Sequence, residues 1–199
     1  MFDIVSLIHF SGYIGLFLII FAESGLFFGF FLPGDSLLFT AGFLSSQGYL
    51  SIVPLVPLLF IAAVSGDAVG YLFGKKVGPK IFSRPESFFF RPSHIEKTAR
   101  FFDRYGAKTI LLARFVPIVR TFAPIMAGVG GMKYRTFIKY NALGAFLWAI
   151  GLTVLGYLFG QKVPNADRYV IPVVALIIVL SLIPPVWEYF KKRTSTPIP

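Results

Sequence analysis

The sequence predicts an all-α integral membrane protein: an inverted repeat of two re-entrant helical hairpins, each followed by a transmembrane helix, plus a C-terminal transmembrane helix and a cytoplasmic amphipathic helix. Three observations carry this. The 199 residues are 56% hydrophobic and only 14% charged, whereas a soluble domain usually carries about 25% charged residues. The long apolar stretches are broken by proline and glycine at intervals too short for a full crossing. A nine-residue motif recurs, GYLFGKKVG at 70–78 and GYLFGQKVP at 156–164, with seven of nine positions identical at an offset of 86; Ala41-Gly42 maps onto Ala127-Gly128 at the same offset.

The chain reads as a single membrane domain, 1–199. Its first repeat is 1–74, a basic cytoplasmic insert follows at 75–108, the second repeat is 109–164, and a C-terminal span with a basic tail occupies 165–199. The apolar run from Ile4 to Leu32 lacks the positive flank and small-residue cleavage site of a signal peptide, so it is taken as mature structure. It meets LPGDS, where Pro33 and Gly34 break a helix and Asp35 or Ser36 can cap the next. The piece from Leu37 to Ser46 is too short to cross about 30 Å of hydrocarbon at 1.5 Å per residue, which predicts a hairpin that enters and leaves on one side. Residues 51–74 are long enough to span despite Pro54 and Pro57. Within the insert, PSHIEKTARFFDRYG reads as an amphipathic helix, capped by Ser93 with Glu96 three residues later and stopped near Gly106. Residues 109–132 form a second interrupted segment, broken by Pro117 and Pro124. Spans are then expected at 137–160 and 169–190.

Charge orients these elements. Residues 1–74 hold four acids and no bases, −4, while 75–199 hold 19 bases and five acids, +14. Basic loops face the cytoplasm, which places the insert and the Lys191-Lys192-Arg193 tail there and the two hairpins on opposite sides. The overall +10 charge therefore reads as contact with an anionic leaflet rather than nucleic acid. Without cysteine, thiolate metal sites are excluded; His9 reads as an interfacial residue and His94 as a surface one, so no metal or cofactor is expected. No nucleotide cradle or nucleophile elbow is present, and no enzymatic turnover is expected.

Four ionisable residues fall at hydrocarbon depth: Glu23 and Asp35 in the first hairpin, Arg114 and Arg120 in the second. Each costs about 2.5–3.5 kcal/mol at a helix centre, so they must pair or meet water. Arg114 and Arg120, six apart, would point about 120° from each other on a straight helix; a bend at Pro117 lets both guanidiniums converge on one anion, phosphate above all. Glu23 and Asp35 straddle the Pro33-Gly34 turn, and a carboxylate in apolar surroundings resists ionisation unless an arginine holds its charge, which suits proton coupling. The bland alternative is a set of static ion pairs that only stabilise packing. Asp67 fits site and scaffold equally, Asn141 reads as interhelical hydrogen-bonding glue, and Gly66, Gly70 and Gly74 as a stripe of close helix approach. Inverted repeats with broken helices at the midplane are a transporter architecture.

Taken together, FAESGLFFGFFLPGDSLLFTAG, GDAVGYLFGKKVG, ARFVPIVRTFAPIMAGVGGM and NALGAFLW resemble the DedA family, also called SNARE-associated or VTT-domain proteins, over about residues 10–165. The resemblance implies a bacterial inner-membrane protein that translocates a lipid phosphate, undecaprenyl phosphate or a phospholipid such as phosphatidylethanolamine, driven by protons. It places the family's acidic pair on Glu23 and Asp35 and its arginine pair on Arg114 and Arg120. The implied partners are a phosphate-bearing lipid, bulk membrane lipid and protons; a homo-oligomer stays open, and the lipid, the direction and the ion stoichiometry are undetermined. Two other functions compete: a proton-coupled exporter of small solutes, which would need an aqueous cavity closed to lipid, and a non-transporting scaffold working through the basic insert. A lateral groove lined by the arginines would separate the lipid from the small-solute reading, and unaltered function on replacing all four charges would favour the scaffold.

Overall fold

A computed structural model describes residues 4–26, 34–82, 102 and 104–162, and all regular structure among them is helical. Helix α1 (Ile4–Gly25) has 22 residues, about 33 Å of rise. Helix α2 (Gly34–Ser46) starts at the glycine of LPGDS with Asp35 in its first turn, where the helix dipole favours a negative charge. Helix α3 (Ile52–Phe82) contains the expected span, apolar from Ile52 to Val77. A short α4 (Lys108–Ala113) stops at Arg114, and α5 (Pro117–Val129) begins after an extended Val116. The ring of Pro117 disfavours helical geometry in the residue before it and suits the first helical position, which accounts for a break at that point. Helices α6 (Tyr134–Ala145) and α7 (Gly151–Lys162) run on through a π-helical turn, Phe146–Ile150, as one apolar stretch of 29 residues.

Two expectations change. Pro124 does not break its segment; it lies inside α5, where its missing N–H removes one intrahelical bond without ending the helix. The span expected at 137–160 is not a plain helix, because the π turn interrupts it. Helices α2 and α5 have 13 residues each, about 20 Å, shorter than the hydrocarbon layer. Phe102, Arg104 and Tyr105 are helical and Gly106 follows at φ 71°, a left-handed conformation natural for the glycine expected at that stop. Pro33, His94, most of the amphipathic segment, the 169–190 span and the basic tail lie outside the described residues, as does the side chain of His9.

The repeats interlock. The short helix of the first half, α2, packs along α7 of the second, and α5 of the second packs along α3 of the first. Backbones touch at glycines. A Cβ on Gly42 would fall 1.9 Å from the Thr153 carbonyl oxygen and one on Gly156 2.0 Å from that of Phe39; across the other interface, Gly128 would meet Tyr71 O at 2.1 Å and Gly74 would meet Ile125 O at 2.0 Å. Gly42 and Gly128, and Phe39 and Ile125, are 86 residues apart, so the short helices use equivalent positions, while the long helices meet them about one turn apart, since the repeat mates of Tyr71 and Gly74 are Tyr157 and Gly160. Of the glycine stripe, Gly70 and Gly74 face α5, whereas Gly66 admits the backbone of α1 at Phe21 and Gly25. Buried Ile20, Leu38, Leu55, Leu59 and Trp148 form the main core, and Tyr71, Ile110 and Phe137 a second one. Large apolar side chains such as Val53, Ile61, Leu72, Leu112 and Leu155 remain on the outside, a surface that fits lipid.

Alanine at Gly42 or Gly128 should each destabilise the fold by about 1–3 kcal/mol. Alanine at Gly15, which has nothing within 4 Å of its Cβ position, should be neutral or stabilising by about 0.5–1 kcal/mol. Unfolding titrations in mixed detergent micelles measure all three.

Candidate functional site

The helix breaks bring the charged residues together. Arg120 stands in the first turn of α5 and Asp35 in the first turn of α2, and their side chains meet. Arg120 Nη1 donates to Asp35 Oδ1 at 2.6 Å and Nη2 donates to Glu23 Oε1. One guanidinium thus clasps both Glu23 and Asp35 across 97 and 85 residues of sequence. Glu23 is 1% exposed, Arg120 11% and the Asp35 side chain 52%. The buried acid is therefore sealed behind the arginine while the other faces outward. Glu23 fits only because residue 34 has no side chain: a Cβ there would lie 1.4 Å from Glu23 Oε2.

Arg114 has a separate set of partners. Its Nη2 lies 2.8 Å from Asp67 Oδ2 and donates to Ala63 O at 3.3 Å, and Nη1 donates to Asn141 Oδ1 at 2.7 Å and to Asn141 O at 3.1 Å. Asn141 in turn donates through Nδ2 to Val64 O at 3.1 Å, so it joins α6 to α3 as expected of interhelical glue and also holds the arginine. With Arg114 at 5% exposure and the Asp67 side chain at 8%, this is a closed, well-satisfied buried pair. The expected convergence of both arginines on one anion is replaced by two adjacent ion-pair clusters. Asp67, balanced between site and scaffold on sequence, is the acid of the second.

The residue that sequence reasoning missed is Trp148. Its ring centroid lies 4.9 Å from the guanidinium carbon of Arg120 and 5.4 Å from that of Arg114. It shares a helical face with Asn141 and Gly144, spaced i, i+3, i+7 in NALGAFLW, a signal that was available. Beside these groups lies a cavity of about 430 Å³ lined by Asp35, Arg114, Trp148 and the apolar Phe115, Leu147 and Leu155. The last three are about half exposed on the outer surface, so the cavity is a lateral groove with charge at its inner wall.

The internal repeat shows how one-sided this chemistry is. The repeat mates of Asp35, Asp67 and Arg120 are Thr121, Thr153 and Gly34. Both threonines are buried and neither carries charge, so among the described residues the second repeat does not duplicate these acids of the first.

Residues 32–158 match the VTT domain. Protein DedA of Escherichia coli K12 is 49% identical over 182 residues, covering 90% of this chain and 83% of that protein. An uncharacterized membrane protein of Mycobacterium leprae is 39% identical over 181 residues, 89% and 81% of the two chains. Inner membrane protein YghB of E. coli K12 is 33% identical over 179 residues, 90% and 80%. No solved structure matches the chain.

Replacing Asp67 with alanine leaves Arg114 buried without a counter-charge and should destabilise the protein by about 3–5 kcal/mol; adding Arg114→Met should recover much of the loss, as read from a double-mutant cycle of unfolding free energies. Gly34→Ala should act locally instead. It pushes the Glu23 carboxylate off Arg120, leaving the helix content seen by circular dichroism unchanged while altering the infrared carboxylate band assigned by its loss in Glu23→Gln.

Proposed function

Because the chain belongs to the DedA family of VTT-domain membrane proteins, we propose that it translocates a phosphate-bearing lipid across the bacterial inner membrane, with proton uptake coupled to phosphate binding. The observation that carries the reading is Arg120, in the first turn of α5, shared by Glu23 and by Asp35 in the first turn of α2. Helix N-termini present unpaired N–H groups and a favourable dipole to an anion. An arginine fork at that point is a phosphate ligand whose donors are taken by carboxylates.

The resulting exchange conserves charge. With both acids ionised, one guanidinium faces two carboxylates and the cluster carries one net negative charge. When Glu23 or Asp35 gains a proton the cluster becomes neutral, that acid gives up its side of the Arg120 fork, and a singly charged phosphate takes its place and restores the net negative charge. Proton and phosphate then travel together, and the net charge of the cluster is the same before and after the exchange. Arg114, reached from the groove, would contact the same phosphate only by sharing its donors with Asp67. We read α2 and α5 as the inner arms of two re-entrant hairpins, and the groove as the place where the headgroup enters while the acyl or prenyl chain stays in lipid. The apolar outer rim of the groove favours a lipid over a small water-borne solute, which would call for walls closed to the bilayer. The inner membrane is the named location of relatives in E. coli.

Headgroup-resolved translocation in proteoliposomes under an imposed pH gradient tests this. Arg120→Gln should slow translocation by about 10–100-fold, the loss of a charge-assisted contact, and Arg120→Lys should not restore it, since an ammonium lacks the fork that spans two carboxylates. Glu23→Gln should remove the acceleration by the gradient. Correctly folded Arg114→Gln and Arg120→Gln proteins that move lipid at the wild-type rate would falsify the phosphate clamp.

A further inference from the structure

Trp148 takes no part in the exchange just described, yet it adjoins three of the charged groups. Its indole N–H donates to Asp35 Oδ1 at 2.6 Å, the oxygen that Arg120 Nη1 also meets at 2.6 Å. Both guanidinium carbons lie within 5.4 Å of its ring centroid, a range in which the electron-rich face attracts cations. It is 4% exposed and sits at the middle of the π turn Phe146–Ile150, a helical irregularity that recurs at functional sites. A leucine would fill the space but supply neither the donor nor the ring.

We infer that Trp148 is a positioning residue that yokes the two arginine–carboxylate clusters, so that a change of partner at Asp35 is transmitted to Arg114 as well as Arg120. The indole nitrogen can only donate, so it supports Asp35 as an ionised acceptor. When Asp35 is protonated that bond weakens, the ring is released, and its contacts with both arginines change in one movement. The groups facing it come from every packed element: Asp35 on α2, Arg120 on α5 and Arg114 after α4, with Glu23 of α1 bound to Arg120 and Asp67 of α3 bound to Arg114. The π turn supplies an extra residue of slack, so the ring can move without unwinding α6 or α7.

The inference rests on the translocation reading for its transport arm alone; a second arm is independent of transport. In that arm, Trp187→Phe leaves one indole, and the Trp148 indole proton is followed by NMR in nanodiscs. A carboxylate-bonded resonance should lie downfield and should move upfield in Asp35→Asn. In the transport arm, Trp148→Phe keeps an aromatic face without the donor, and should shift the midpoint of the pH–translocation profile by about one unit, the scale of one lost carboxylate hydrogen bond. Trp148→Leu should slow translocation about tenfold or more at equal thermal stability.

An indole resonance indifferent to Asp35→Asn overturns the inference. So does a Trp148→Phe protein with the wild-type profile in membranes where Arg120→Gln is inactive, a result that leaves the translocation reading standing. If the wild-type protein moves no lipid phosphate, that reading falls and the response of the indole resonance to Asp35→Asn decides this one. The same resonance decides it if Trp148→Phe does not fold.

Discussion

Two guanidiniums inside an apolar helical protein have to be neutralised where they sit, and the arrangement of α1 to α5 follows from that requirement. Arginine keeps its proton under any conditions a protein meets, so burial cannot be relieved by its neutralisation, as it can for a carboxylic acid. Arg114 and Arg120 both belong to the second half of the chain, and every acid that meets them, Glu23, Asp35 and Asp67, belongs to the first. Neither half can close its own charge balance. The two are obliged to interlock, which is what the packing of α2 on α7 and α5 on α3 achieves.

That interlocking depends on backbones that approach closely. Gly42 and Gly156 seat α2 on α7, Gly74 and Gly128 seat α5 on α3, and Gly25 and Gly66 bring α1 against α3. The last contact sets the depth at which Glu23 emerges beside Gly34. The scaffold repeats while the chemistry does not, since the mates of Asp35 and Asp67 are threonines. A duplicated frame whose two ion-pair clusters lie side by side offers one place for the proposed coupling of proton uptake to phosphate binding. The two arginines divide the labour. Arg114 is held by Asp67, Asn141 and the Ala63 carbonyl and lines the inner wall of the groove. Arg120, against a half-exposed Asp35, is the one whose partners can change.

Much of this was legible in the residues. The membrane class, the span at Ile52–Val77, the breaks at Gly34 and Pro117 and the grouping of Glu23 and Asp35 near an arginine all follow from hydropathy, proline and glycine chemistry, and the high energy of an unpaired charge in hydrocarbon. Asn141 as interhelical glue followed from the same reasoning. Other features were hidden. Pro124 looked like a second break, but a single lost hydrogen bond is tolerated in a helix whose neighbours hold it on both sides. Asp67 looked undecided, because local sequence says that a buried acid needs a partner and not which arginine supplies it. Trp148 lies unremarked within the span expected at 137–160; only its neighbours give the indole a donor's task.

The sequence by itself determined that this chain lives in a membrane, that its halves are copies, and that negative and positive groups are divided between them, since these are matters of composition and order along one dimension. The tertiary structure alone decided that Arg120 takes Glu23 and Asp35, that Arg114 takes Asp67, and that Trp148 stands beside both. These partners are separated by tens of residues, and their distances are set by how closely glycine-lined helices approach and by the register in which α5 lies along α3. Hydrophobic periodicity within either helix carries no record of that register.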